Sequence, residues 1–349
     1  MIKYLGSKRT LIPVLEQLAS ASEAKTALDL FTGTTRVAQC FKNLDIQVTA
    51  VDTASYSFAF AKTWIELDGA GKTQELLDVL KDLNQTTPEA GYFTEEFCVE
   101  ARYFQPANGE KIDAIRNRIE REFKNHWMYY PLLTSLILAA DRVDSTTGMQ
   151  MAFLKSWASR SFNHAQLRDP KLIDGQGVAI QADALKIASD LPAVDLAYLD
   201  PPYNQHRYFT NYHIWETLVR WDSPESYGIA RKRIDSRADS TKSPFNSRRD
   251  MPNALEKLVK DVNAETIILS YNNESSLSRD DLIDICRVKG TVELIEFDFK
   301  RYIGSQIGIY NKAGERVGNP GQKRNRELMV IAGDRSRVAR MQLVGQSPS

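Results

Sequence analysis

Apolar positions along the chain follow two rhythms. Short apolar runs closed by glycine or polar clusters predict strands at 27–31, 48–51, 177–180, 195–199 and 267–270; an alternating run at 292–299 and an apolar one at 327–331 supply a sixth and a seventh. Between them the spacing is helical. Leu11, Val14, Leu15 and Leu18 make a buried stripe behind a Thr10 cap with Pro13 in the first turn; Val37, Ala38, Cys40 and Phe41 make another, and 56–67 a third. From 68 to 177 the pattern is mainly helical, with a strongly apolar helix at 129–140, a polar turn at 141–148 and a resumed helix at 153–157. Strands separated by helices imply a parallel α/β sheet, and a hairpin near the C-terminus adds an antiparallel edge. The stretch between the second and third strands is far longer than a crossover helix needs. It predicts a mostly helical lobe at 68–177 inserted into a domain built from 1–67 and 178–349.

Three breaks in this pattern carry chemistry. The first strand ends in Asp29-Leu30-Phe31-Thr32-Gly33-Thr34-Thr35 and resumes as a helix, a cradle in which the bare Gly33 backbone lets a ligand approach closely. The second ends in Asp52, the position from which an acid reaches ribose hydroxyls. Only Gly33 stands where a dinucleotide fingerprint has three glycines, and no Walker loop is present, so the expected ligand has a ribose and no pyrophosphate. The fourth strand stops at Asp200-Pro201-Pro202-Tyr203, where two prolines without N–H groups force a stiff extended ledge. Such a ledge holds a planar polar group, or it is a surface turn with Asp200 as its cap and Tyr203 packing; the tetrapeptide alone leaves both open.

Composition adds limits. The chain has 349 residues, 42% of them hydrophobic, enough for one large domain or two with a proper core. No apolar run spans a bilayer and the first residues lack a signal-peptide core, which predicts a cytoplasmic protein. Cys40, Cys98 and Cys286 suit neither a disulfide framework nor a zinc site, so reduced packing cysteines and no metal are expected. The net charge is +0, which gives no overall pull toward nucleic acid. Charge is unevenly spread, however: Arg231, Lys232, Arg233, Arg237, Lys242, Arg248 and Arg249 form one basic cluster, and Lys300, Arg301, Lys312, Arg316, Lys323, Arg324 and Arg326 another. Each suits a phosphate backbone, although solvated loops explain most such runs.

Together these motifs resemble the S-adenosylmethionine-dependent amino-methyltransferases, in particular the α-group adenine DNA methyltransferases to which Dam belongs. Lys3-Tyr4-Leu5-Gly6-Ser7-Lys8 looks like their N-terminal cofactor motif, 29–35 like the Phe-x-Gly-x-Gly loop, Asp52 like the ribose acid, and Asp200-Pro201-Pro202-Tyr203 is their catalytic tetrapeptide. The flanks 204–217 and 269–274 are similar to the methyltransferases of FokI-type restriction systems. One position departs: Thr35 stands where the loop has its second glycine, and its Cβ narrows the space for the methionine moiety and restricts φ.

The resemblance implies a Rossmann-like class I methyltransferase fold with a mainly parallel seven-stranded sheet, and a target-recognition lobe at 68–177. It implies that Asp200 and the Pro201 carbonyl accept hydrogen bonds from an exocyclic amine held on the ledge with Pro202, while Tyr203 stacks on an extruded base. Asp52 then holds the cofactor ribose, Asp183 touches its adenine, and Asp200 also contacts the cofactor. Asp29, Phe31, Thr32, Gly33, Thr34 and Thr35 form its loop, with Tyr4, Gly6 and Lys8 closing over it. Arg207, Tyr208, Asn211 and Tyr212 line the base pocket or the strand beside it. Arg231, Lys232 and Arg233, with the 141–157 segment, are the expected phosphate and groove contacts. The partners implied are double-stranded DNA and a cognate restriction endonuclease, the chain itself being a monomer. An RNA adenine or cytosine amine also suits the ledge, and Thr35 favours a third reading, a catalytically inactive DNA-binding module.

Overall fold

The computed structural model describes residues 1–202, 208–272, 276–300, 309–310, 316–318 and 324–345. Its principal strands are β1 (Thr26–Leu30), β2 (Gln47–Asp52), β3 (Val178–Gln181), β4 (Val194–Leu199), β5 (Ala264–Asn272), β6 (Thr291–Lys300) and β7 (Arg324–Gly333). They form one seven-stranded sheet in the order β3-β2-β1-β4-β5-β7-β6. The pairs β1/β2, β2/β3 and β4/β5 are parallel, and β7 runs antiparallel to both β5 and β6. This is the expected class I methyltransferase fold. The antiparallel strand lies one place in from the edge rather than at it, because the run Leu328 to Ala332 is buried throughout and needs a neighbour on each side. The alternating β6 takes the edge.

The chain divides into two compact units. One comprises Met1–Glu16, Lys25–Ile187 and His206–Ser243; the other comprises Gln17–Ala24, Ala188–Gln205 and Pro244–Ser349. In the first, the turn after β1 leads into α1 (Arg36–Lys42), and β2 leads into α2 (Ser55–Ala61), which widens into a π turn at Lys62–Glu66. That turn leaves carbonyls without helical partners, and the buried Lys42 answers them. Its ammonium donates to the carbonyls of Trp64 (3.1 Å), Ile65 (3.0 Å), Leu67 (2.9 Å) and Ile173 (3.2 Å). Gly177 precedes β3 for a steric reason, since a Cβ there would lie 2.5 Å from the Val48 carbonyl oxygen.

Between β2 and β3 run α3 (Thr73–Leu83), α4 (Pro106–Phe123) and α5 (Tyr129–Val143). Asp113 on α4 organises the start of this region by accepting from the amides of Gly91 (2.9 Å), Phe93 (3.1 Å) and Thr94 (2.8 Å). Two expectations fail here. The polar turn expected at 141–148 starts later and is largely buried: α5 runs to Val143, the chain bends only from Thr146, and Asp141, Asp144, Ser145 and Thr146 are buried. The N-terminal segment reaches into it, the Lys3 ammonium standing 3.0 Å from Asp141 and 3.2 Å from Asp144. Its polarity serves an internal network rather than solvent. Residues 153–157 are not helical either, because Ser145 takes their backbone: Leu154 N–H donates to its carbonyl (2.9 Å) and Ala158 N–H to its hydroxyl (3.0 Å). Among the described residues no helix is long and apolar enough to cross a membrane, and no group of ligands could hold a metal.

Candidate active site

In the first unit the turn after β1 is held from below. Buried Asp29 accepts from Thr32 Oγ1 (2.8 Å) and from Ala38 N–H (3.1 Å), so it is a strut of the loop rather than part of its open face. Gly33 has φ +50°, and a Cβ there would sit 3.2 Å from the Tyr4 ring. Its amide donates to Asp52 Oδ2 (2.8 Å), while Ala54 N–H donates to Oδ1 (2.9 Å). Burial raises the Asp52 pKa above the usual carboxylate value, and these two amides oppose the shift. Loop, acid and N-terminal motif thus meet at one place. Asp183 joins them at the rim: Ala182 N–H bonds the Asp52 carbonyl (3.0 Å), and the Asp183 carboxylate caps Leu185 N–H (3.0 Å).

Thr35 adopts φ 60° and ψ 15°, the left-handed conformation that glycine takes freely and a β-branched residue takes rarely. The substitution therefore keeps the backbone shape of a glycine. Its side chain folds away, Oγ1 donating to the Thr34 carbonyl (2.7 Å) and accepting from Gln39 Nε2 (2.8 Å). Thr35→Gly is expected to change the loop's affinity for its ligand by no more than about threefold, measured by calorimetry with S-adenosylmethionine as the probe. A gain of tenfold or more would mean that the threonine side chain obstructs the loop.

The N-terminal motif is fastened by aromatic rings. Tyr4 stacks on Tyr212 at 4.7 Å and on Tyr208 at 5.4 Å, and Leu5 N–H donates to the Tyr212 hydroxyl at 2.6 Å. Gly6 turns the chain with φ +75°, and Lys8 beyond it is buried. Tyr208 and Tyr212 thus hold the N-terminal segment in place. Asn211 is buried, its carbonyl accepting from Gln150 N–H (2.8 Å).

Glu216 had no role assigned from sequence. It lies on α6 (His213–Arg220), and its buried carboxylate takes Ser55 N–H (2.9 Å) and Ser55 Oγ (2.6 Å) at the start of α2, just past Asp52. An acid inside an otherwise apolar stripe was the signal for it. On the same helix buried His213 has Nε2 3.0 Å from the Gln150 carbonyl, and desolvation lowers its pKa from 6.5 to about 3. A depressed folded-state pKa means that the unfolded chain takes up the proton first. Stability is therefore expected to fall as pH drops below 6.5, and less steeply in His213→Gln, when urea midpoints are compared from about pH 6.5 to 5.

The expected DNA contacts separate by environment. Arg233 is 1% exposed and forks onto Asp222 and Asp235, with 2.7 Å contacts to each. Arg231 forks onto Glu96 at 2.7 and 2.6 Å. Lys232, between them, makes no ion pair among the described residues. Tyr203 and Arg207 lie outside the described residues.

In the second unit β4 is buried from Leu196 to Leu199, registers Leu199 against Leu269 of β5, and stops at Asp200. Asp200 and Pro202 are half-buried and Pro201 is buried, so the strand end presents its carboxylate beside a proline backbone with no competing donor. Ser270 at the end of β5 donates to Glu327 Oε1 of β7 (2.7 Å), which fixes the neighbouring strand ends.

A class I sheet with a nucleoside cradle after β1, an acid at the tip of β2 and Asp-Pro-Pro after β4 defines a methyltransferase. The chain matches the D12 class N6 adenine-specific DNA methyltransferase family over residues 4–276, and it belongs to that family. It is 33% identical to the type II methyltransferase M.NlaIII of Neisseria lactamica, over 86% of this chain and 92% of that protein. It is 32% identical to the modification methylase StsI of Streptococcus sanguinis, over 88% of this chain and 50% of the relative. It is 27% identical to the type II methyltransferase M.FokI of Planomicrobium okeanokoites, over 86% and 50% respectively. The chain thus spans about half the length of the StsI and FokI methylases and nearly all of M.NlaIII.

Proposed function

We propose that this chain transfers the methyl group of S-adenosyl-L-methionine to the exocyclic amino nitrogen of adenine in double-stranded DNA, as the modification half of a restriction-modification system. The observation that carries this reading is a buried strand ending in Asp200-Pro201-Pro202 in a member of the D12 family. The adenine amine is a poor nucleophile because its lone pair is delocalised into the ring. Two acceptors on its hydrogens, the Asp200 carboxylate and the Pro201 carbonyl, favour a pyramidal nitrogen with its lone pair aimed at the methyl carbon. Direct displacement follows, and no covalent enzyme intermediate is needed. The base leaves the duplex to reach these acceptors, and Tyr203 stacks on it.

The cofactor supplies an electrophilic sulfonium methyl. The cradle fits it: Gly33 leaves open the space a Cβ would take beside Tyr4, and Asp52 presents two carboxylate oxygens oriented by the Gly33 and Ala54 amides. Asp52 would hold the ribose, Asp183 the adenine rim, and Tyr4 with Lys8 the methionine end. We assign residues 68–177 to target recognition, and propose that the chain acts as a monomer in the cytoplasm beside a cognate endonuclease.

The test is expression in a host without DNA methylation, followed by single-molecule sequencing of its DNA and RNA. N6-methyladenine at one short DNA sequence supports the reading. Label confined to RNA or to cytosine moves the acceptor, and purified protein that binds DNA yet transfers no label supports an inactive module.

A further inference from the structure

Helix α2 starts at Ser55 without a local cap. Its N-cap residue is Ala54, whose methyl group accepts no hydrogen bond, so the first amides of the helix need an acceptor from elsewhere. Glu216 supplies one from α6, 161 residues away in sequence: Oε2 accepts from the Ser55 N–H (2.9 Å) and Oε1 from the Ser55 hydroxyl (2.6 Å). The same hydroxyl accepts from Gln181 Nε2 (3.0 Å), which also donates to the Thr53 carbonyl (3.2 Å). Glu216 is 3% exposed; burial raises its pKa, and the two Ser55 bonds oppose the shift. Arg220 stands 4.0 Å away, at the limit of an ion pair. A carboxylate is costly to bury, and this one commits both oxygens to a single residue.

What that residue controls is the turn between β2 and α2. Ser55 follows Ala54, whose N–H orients Asp52 Oδ1 (2.9 Å), while Gln181 pairs with Asp52 in the sheet and lies just before Asp183. The chain Gln181, Ser55, Glu216 therefore ties together the two strand ends that carry Asp52 and Asp183. One helical turn before Glu216, Tyr212 takes the Leu5 N–H (2.6 Å) and stacks on Tyr4, and its carbonyl accepts from the Glu216 N–H (3.2 Å). Side chains spaced in this way are neighbours on a helix surface. This end of α6 thus holds the N-terminal segment through Tyr212 and the turn after β2 through Glu216. We propose that Glu216 is a positioning residue for the cofactor: acting through Ser55, it fixes Asp52 where the carboxylate meets the ribose hydroxyls of S-adenosyl-L-methionine, without itself touching the ligand.

This inference rests on the cofactor assignment above, and the experiment separates the two. Binding of S-adenosylhomocysteine, followed by calorimetry, needs no turnover. Glu216→Leu removes both acceptors and is expected to weaken that binding, and to raise KM for S-adenosylmethionine, by roughly tenfold, with kcat changed less than about threefold. Glu216→Gln, whose amide oxygen still accepts from the Ser55 N–H, is expected to return affinity to within about threefold of wild type. An Asp52→Ala background gives the sharper comparison. A residue that acts through Asp52 has little left to position there, so Glu216→Leu should cost less than about twofold more; a second loss of about tenfold would make the two residues independent and overturn the proposal. Should Glu216→Leu not fold, Ser55→Ala, which keeps the amide and loses both hydroxyl bonds, is read in its place: a loss of about fivefold is expected, and wild-type affinity overturns the proposal. Folded Glu216→Leu that binds S-adenosylhomocysteine as tightly as wild type overturns the positioning role alone. Wild-type protein that binds no S-adenosylhomocysteine overturns the cofactor assignment, and the positioning role with it. Wild-type protein that binds it but labels no DNA overturns the reaction and leaves the positioning role standing.

Discussion

Asp200→Ala is expected to lower single-turnover methyl transfer by roughly 10³-fold, the scale on which loss of one preorganised acceptor is felt at a reacting centre. Cofactor and DNA affinities should change little, because the carboxylate acts on the amine as it reacts and Asp52, not Asp200, is the proposed ribose ligand. Asp200→Asn is the sharper variant. Its carboxamide keeps the shape and one acceptor but not the charge, so a rate between those of wild type and alanine would separate hydrogen-bond geometry from electrostatics. Loss of less than tenfold in either variant, with an unchanged melting curve, would remove Asp200 from the chemistry.

Arg233→Met is expected to destabilise the protein by about 1–3 kcal/mol, the cost of losing the buried guanidinium's charged hydrogen bonds while the part-exposed carboxylates keep Arg220. Asp222 and Asp235 would lose their buried partner and keep Arg220, which stands 3.1 Å from the first and 3.0 Å from the second. Adding Asp222→Asn and Asp235→Asn should recover part of the loss, as urea midpoints would show. The salt dependence of DNA binding should not move with Arg233, whereas Lys232→Gln should lower its slope by about 0.9. A slope that changes with Arg233→Met at full folding would place the arginine on the DNA instead.

These two residues also mark how far the chain could be read in advance. The β1 loop, Asp52 and the Asp200 ledge were legible because each depends on local chemistry: a strand end, a glycine or proline, and an acid at a set distance. The sheet was legible because apolar runs separated by helical stripes leave few arrangements. Arg231, Lys232 and Arg233 are adjacent cations, and nothing in their identity says that one is buried, one is paired and one is open. Their acids come from Glu96, Asp222 and Asp235, and the Glu96 pairing is created only by folding. The 141–148 segment misled for a related reason. Its polarity suggests water, but Lys3, far away in the chain, fills that role. Glu216 and Lys42 escaped assignment because their partners, the Ser55 amide and hydroxyl and four distant carbonyls, leave no trace in composition.

The Lys42 ammonium has a consequence for how such proteins diversify. It ends the helix that begins beside the Gly33 loop, and it grips both Leu67, where the chain leaves for the helical lobe, and Ile173, where it returns. Entry and exit are thus riveted to a single side chain that belongs to neither. On the proposed assignment of 68–177 to target recognition, the surface of that segment can vary between these two points while the rivet stays behind. Lineages that trade these lobes should keep the lysine, or replace it together with the four carbonyls it serves.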